Sequence, residues 1–106
     1  MIVHNSEVHP SSPAPGMTRR LLARGGGMMI VEIRFVAGTI VAEHIHPHEQ
    51  ASYLVSGRLI VSMGGKDETL VAGDSFYVAP NVPHAVRLLE DSIVVDTFTP
   101  QRQDFL

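Results

Sequence analysis

The chain has 106 residues, 44% of them apolar and 18% charged, with a formal net charge of -3 and no cysteine. This is the profile of one ordinary globular domain that folds without a partner, and it excludes a disordered chain, a disulfide framework and a thiolate metal site. The negative charge gives no affinity for phosphate backbones, and no run approaches the roughly 18–20 apolar residues that span a bilayer, so neither nucleic acid nor membrane is an expected partner.

Met1 to Pro10 has neither a basic start nor an apolar leader segment, so a soluble cytoplasmic protein is expected. The stretch from His9 to Gly16 holds three prolines and two serines, which disfavour both helix and central strand. Residues 1–16 therefore read as an N-terminal strand or arm and a loop, within a single domain over 1–106. From there, short runs rich in Val, Ile, Phe and Tyr alternate with turn residues. The strands expected are Met17 to Arg24, Met28 to Ala37, Ile40 to Ile45, Ala51 to Ser56, Arg58 to Met63, Glu68 to Val71, Ser75 to Ala79, His84 to Leu89 and Ser92 to Thr99. Turn chemistry separates them at Gly25 to Gly27, Ser56-Gly57, Gly64 to Asp67, Ala72 to Asp74 and Asn81 to Pro83. Many short strands in a small all-β chain imply a sandwich or a closed barrel, because closure removes exposed edges. Met28, Met29 and Phe35 offer apolar surface for a homodimer.

Three of the histidines lie within five residues, at His44, His46 and His48, and His84 follows far downstream. On a strand, positions two apart share a face, so His44 and His46 project together with Ile40 and Ala42, whose apolar character points to the inner face. Two adjacent inward imidazoles repel when protonated and waste lone pairs when neutral, unless a divalent cation accepts both. Gln50 keeps the same parity, whereas Pro47 breaks the backbone and lets His48 swing away. His84 opens a strand after the turn Pro80 to Pro83, a position from which a neighbouring strand can complete a metal site. Three imidazoles and one carbonyl oxygen leave coordination positions open for water or substrate. The expected ion is a single divalent one, with nickel, zinc, iron, manganese and cobalt all compatible with these donors. His4 and His9 lie in the arm and carry no assigned role.

These residues resemble the cupin superfamily. Its first motif is matched by Gly38, His44, His46, Gln50 and Gly57 at every spacing, with glutamine where glutamate is usual. The second is matched by Gly73, Asp74 and His84, with Ala79 in place of the usual proline, Asn81 in place of glycine and Leu88 where asparagine is frequent. A narrower resemblance, to the KdgF family of pectin-degradation cupins, is carried by Gly16 to Arg19, His46 to Tyr53, Asn81 to His84 and Asp96 to Phe105. It implies a jelly-roll-like double-stranded β-helix barrel. It also implies a metal held by three histidines and a glutamine, and a redox-neutral opening of 4,5-unsaturated uronates to the linear keto-deoxy acid.

A neutral glutamine in place of glutamate raises the charge of the metal site by one, which makes the cation a stronger Lewis acid. Asp96 shares a face with Val94 and Phe98. It is either an inward carboxyl with a raised pKa, fit to exchange protons, or an ordinary solvated residue, and the resemblance favours the first. Arg19 and Arg102 can clamp the carboxylate of a small anionic sugar or serve only solubility. Tyr53 and Phe98 are either platforms for a sugar ring or core. Two other classes share this site chemistry: a quercetinase-like dioxygenase, and a cupin that binds a small acid or sugar without turning it over.

Overall fold

The computed structural model describes residues 1–106. It contains nine strands: β1 (Met17–Gly25), β2 (Met28–Phe35), β3 (Ile40–His44), β4 (Glu49–Ser56), β5 (Arg58–Met63), β6 (Lys66–Val71), β7 (Ser75–Val78), β8 (His84–Leu88) and β9 (Ser92–Thr99). Short 3₁₀ turns at Asn5–Glu7 and Gln103–Phe105 flank them, and no helix is long and apolar enough to cross a membrane. The strands form a five-stranded sheet in the order β1-β2-β9-β4-β7 and a four-stranded sheet in the order β3-β8-β5-β6. All the pairings are antiparallel. Every expected strand is present, and the result is the expected all-β double-sheet barrel.

Alternation along each strand decides what reaches the interior. In β2 the inward set is Met29, Val31, Ile33 and Phe35, and in β9 it is Ser92, Val94, Asp96 and Phe98. Leu54 on β4, Leu59 and Val61 on β5 and Leu88 on β8 close the core from the other strands. Each fully buried aliphatic side chain contributes roughly 1.5–3 kcal/mol relative to leaving it exposed. The expectation that Met28, Met29 and Phe35 form one outer surface is therefore corrected. Met29 and Phe35 are core, and only Met28, 59% exposed, faces solvent.

Register then sets residues side by side across the inner face. One row runs Met29, Phe98, Gln50, Val78, and the next runs Val31, Asp96, Ser52, Phe76. Two polar residues of β4 and one of β9 thus occupy adjacent places on an otherwise apolar wall. Gly57, between β4 and β5, has φ +96, and a Cβ there would lie 2.7 Å from Ser92 Cα. Only glycine fits that junction.

Candidate metal centre and cavity

His44 ends β3 and stands directly opposite His84, the first residue of β8, with ring centroids 4.1 Å apart. The way β3 brings His44 there differs from simple alternation. The register shifts by one between Val41 and His44, so β3 carries an extra residue opposite β8. Val41 packs against the core and Ile40 is 70% exposed, the reverse of the expected parity. The bulge lets both Val41 and His44 line the interior.

His46 lies beyond the end of β3, in the crossover that carries the chain to the other sheet, and is buried. Its carbonyl accepts a hydrogen bond from the backbone N–H of Asn81 at 2.8 Å, which stitches the crossover to the turn before His84. Asn81 has φ 62, a left-handed conformation that asparagine adopts more readily than most residues, and this explains how it stands where a glycine is usual. The His46 ring lies 5.9 Å from that of His44 and 4.9 Å from that of His84. One ring nitrogen from each of the three lies within 4.8 Å of those from the others.

The hydrogen bonds settle which nitrogen is free. Nδ1 of His44 lies 2.9 Å from the Ala42 carbonyl, Nδ1 of His46 lies 3.2 Å from that of His48, and Nδ1 of His84 lies 2.9 Å from that of Val82. A carbonyl only accepts, so each Nδ1 carries a proton, and a ring in its neutral form keeps its lone pair on Nε2. Burial holds both His46 and His84 below the ordinary histidine pKa, and for His46 the charge of Arg102 acts in the same direction. Nε2 of His84 is buried without any hydrogen-bond partner.

Gln50 enters from β4. Its Oε1 lies 3.0 Å from His46 Nε2, so an acceptor faces an acceptor. A cation resolves that conflict, since two donors at right angles, each about 2.1 Å from one ion, stand about 3 Å apart. Three imidazole lone pairs, one left without a partner, and one amide oxygen fit a first-row divalent ion. His44, His46, His84 and Gln50 are thus brought together. His48 does not join them: its ring sits 5.5 Å from that of His46 and edge-on to Phe98.

The other end of the Gln50 amide leads to the acid group. Gln50 Nε2 donates to Ser52 Oγ at 2.9 Å, and Ser52 Oγ donates to Asp96 Oδ1 at 2.5 Å. Asp96 is only 6% exposed, and burial pushes its carboxyl up to about 6, against the opposing pull of the Ser52 hydrogen bond and the Arg102 charge. Of the two readings of Asp96, the inward one is what the structure contains. Ser52 was missed by sequence reasoning. Its parity with Gln50 on β4 was the available signal, but serine alone carries no expectation of burial.

Beside these groups lies a cavity of about 370 Å³, lined by His44, Gln50, His84, Asp96 and Phe98, by apolar side chains including Ile33, Leu59 and Val94, and by Arg19 and Arg102. The two guanidinium groups lie against one ring: Arg19 is 3.9 Å and Arg102 4.2 Å from the centroid of Phe105. Arg102 is also held by Asp104 through two hydrogen bonds, at 3.0 and 2.8 Å. Arg19 has no such partner, and its buried Nε makes no hydrogen bond. Asp104 thus pairs with Arg102 alone, and Arg19 presents a guanidinium with no ion-pair partner to an anion. Tyr53 does not reach the cavity. On β4 the even positions face inward, so Tyr53 points out and is 49% exposed.

Residues 31–98 match the cupin domain family. This chain is a cupin. It is 34% identical over 93 residues to the pectin degradation protein KdgF of Dickeya dadantii (strain 3937), covering 86% of this chain and 84% of that protein. Among solved structures, this cupin is similar to KdgF from Halomonas sp., with a TM-score of 0.95 and 32% identity over 100% of both chains. An RmlC-like cupin from Shewanella frigidimarina NCIMB 400 superposes with a TM-score of 0.95 at 34% identity, over 99% of this chain and 95% of its own.

Proposed function

We propose that this cupin converts 4,5-unsaturated uronates, the products of pectin or alginate cleavage, to linear 5-keto-4-deoxyuronate by redox-neutral ring opening. The observation that carries the reading is a buried carboxyl, Asp96, linked through Ser52 and Gln50 to the histidine cluster in a cavity that also holds two arginines. A relative named for pectin degradation and a solved KdgF, each at about one-third identity over most of the chain, support it.

The reaction is an isomerisation. The anomeric hydroxyl loses its proton, the bond between the anomeric carbon and the ring oxygen breaks with its electron pair going to that oxygen, and the resulting enolate takes a proton at the former alkene carbon to become a ketone. One proton leaves oxygen and one arrives at carbon, so no oxidant is consumed. A carboxyl pushed up to about 6 by burial is suited to both transfers near neutrality, and Asp96 is that carrier in this reading. Arg19, whose Nε has no partner, and Arg102 would hold the substrate carboxylate. Phe98 and the aliphatic wall keep water from the enolate. A divalent ion on His44, His46, His84 and Gln50 would supply Lewis acidity towards a substrate oxygen.

The test is loss of the ultraviolet absorbance of unsaturated galacturonate and guluronate under strict anaerobiosis. Turnover unchanged by removing oxygen, and abolished in Asp96→Asn with metal content intact, is the expected result. Oxygen uptake coupled to turnover would instead point to a dioxygenase, and tight binding without conversion to a sensor of small acids.

A further inference from the structure

We propose that Ser52 is a positioning residue that sets the polarity of the Gln50 carboxamide, turning its carbonyl oxygen towards the histidines. The inference deepens the metal-dependent reading above and rests on it.

The two ends of a carboxamide are nearly the same shape, so only hydrogen bonding decides which end faces which neighbour. At one end stands Nε2 of His46, whose Nδ1 proton is committed to the His48 carbonyl. That lone pair by itself attracts the amino end of Gln50. The flipped amide would donate to His46, cap a metal-binding nitrogen and present no oxygen. At the other end stands Ser52, buried on β4 opposite Asp96 of β9, with a single hydroxyl proton. That proton goes to Asp96 Oδ1, so towards Gln50 the serine oxygen offers only lone pairs. It therefore holds the amino end, and the carbonyl oxygen is left facing His46.

Ser52 thus prevents the site from satisfying itself. Without the hydroxyl, the opposite amide orientation gains a hydrogen bond to His46 and loses none to β4. An ion must then break that bond before it can bind. Outer partners that orient ligands typically change metal affinity about 10–100-fold when removed. Glutamate in place of Gln50 has oxygen at both ends, so it has no polarity to set and should not depend on Ser52 in this way.

The experiment is a Co²⁺ titration of the chelator-stripped, full-length protein, read by competition affinity and by the visible ligand-field spectrum. Ser52→Thr and Ser52→Val have the same shape and differ only in the hydroxyl. The expected result is that Thr retains wild-type affinity and spectrum, while Val loses about 10-fold or more in affinity with an altered spectrum. In a Gln50→Glu background, Ser52→Val should change affinity less than about 2-fold, as expected when the shared term is gone. Val behaving like Thr would overturn the proposal, as would an equal loss in the Gln50→Glu background. Should the extra methyl prevent folding, Ser52→Ala carries the same expectation, and unchanged affinity there overturns it. Absence of uronate turnover in wild type, with these affinity differences intact, would remove the proposed substrate and leave the role of Ser52 standing.

Discussion

Asp96→Asn is expected to stabilise the metal-free protein while removing the proposed proton carrier. An aspartate has an ordinary pKa of 3.8, and burial pushes that of Asp96 up to about 6. At 1.36 kcal/mol per pKa unit, a rise of about two units disfavours the ionised folded state by about 3 kcal/mol. The sign is opposite to that of a paired carboxylate. The penalty is absent below the unfolded pKa, grows as the pH rises from 3.8 to about 6, and is fully present above that. Asparagine is neutral throughout, nearly the same size, and can still accept the Ser52 hydroxyl proton through Oδ1. Urea unfolding in chelator at about pH 7.5 should therefore show the Asn variant more stable by up to about 3 kcal/mol, with the gap closing on acidification. Equal stabilities at neutral pH, or a gap that widens in acid, would refute the idea that burial governs this carboxyl.

His84→Ala removes a donor from the cluster and leaves His44 without its cross-strand partner, so metal content should fall from about one ion per chain to near none by elemental analysis. Full retention would take His84 out of the coordination set. Gly57→Ala forces a Cβ against Ser92 at positive φ, and should cost about 3 kcal/mol by chemical denaturation. A loss under about 1 kcal/mol would mean that the β4–β5 junction relaxes freely.

The strands were legible because alternation and turn chemistry agree along most of the chain. Where they were not, one residue of parity was at stake. Ile40 and Val41 are both apolar, so nothing in their types reveals that a bulge turns Val41 inward and Ile40 out. Met28 and Met29 pose the same ambiguity, which pairing of β2 with β9 resolves. Tyr53 and Phe98 were equal candidates as aromatics, and their strands send them to opposite faces. The strand β4 begins at Glu49, before the expected Ala51, because Glu49 and Gln50 pair with Thr99 and Phe98. The candidate donors His44, His46, His84 and Gln50 were readable from motif spacing, but the chain from His46 through Gln50 and Ser52 to Asp96 depends on register between strands far apart in sequence. The stacking of Arg19 and Arg102 on Phe105 depends likewise on where the final 3₁₀ turn docks.

The donors have an uneven ancestry. His44 and His84 belong to one layer, Gln50 to the other, and His46 to the strap between them. Sliding one layer over its neighbour would leave every ladder intact and yet alter the spacing of nitrogen and oxygen around an ion. The preference of the proposed site among metals would thus depend partly on the apolar filling between the layers. Shaving a residue such as Leu59, which touches no ion, should shift the ranking of nickel, zinc and cobalt in competition experiments.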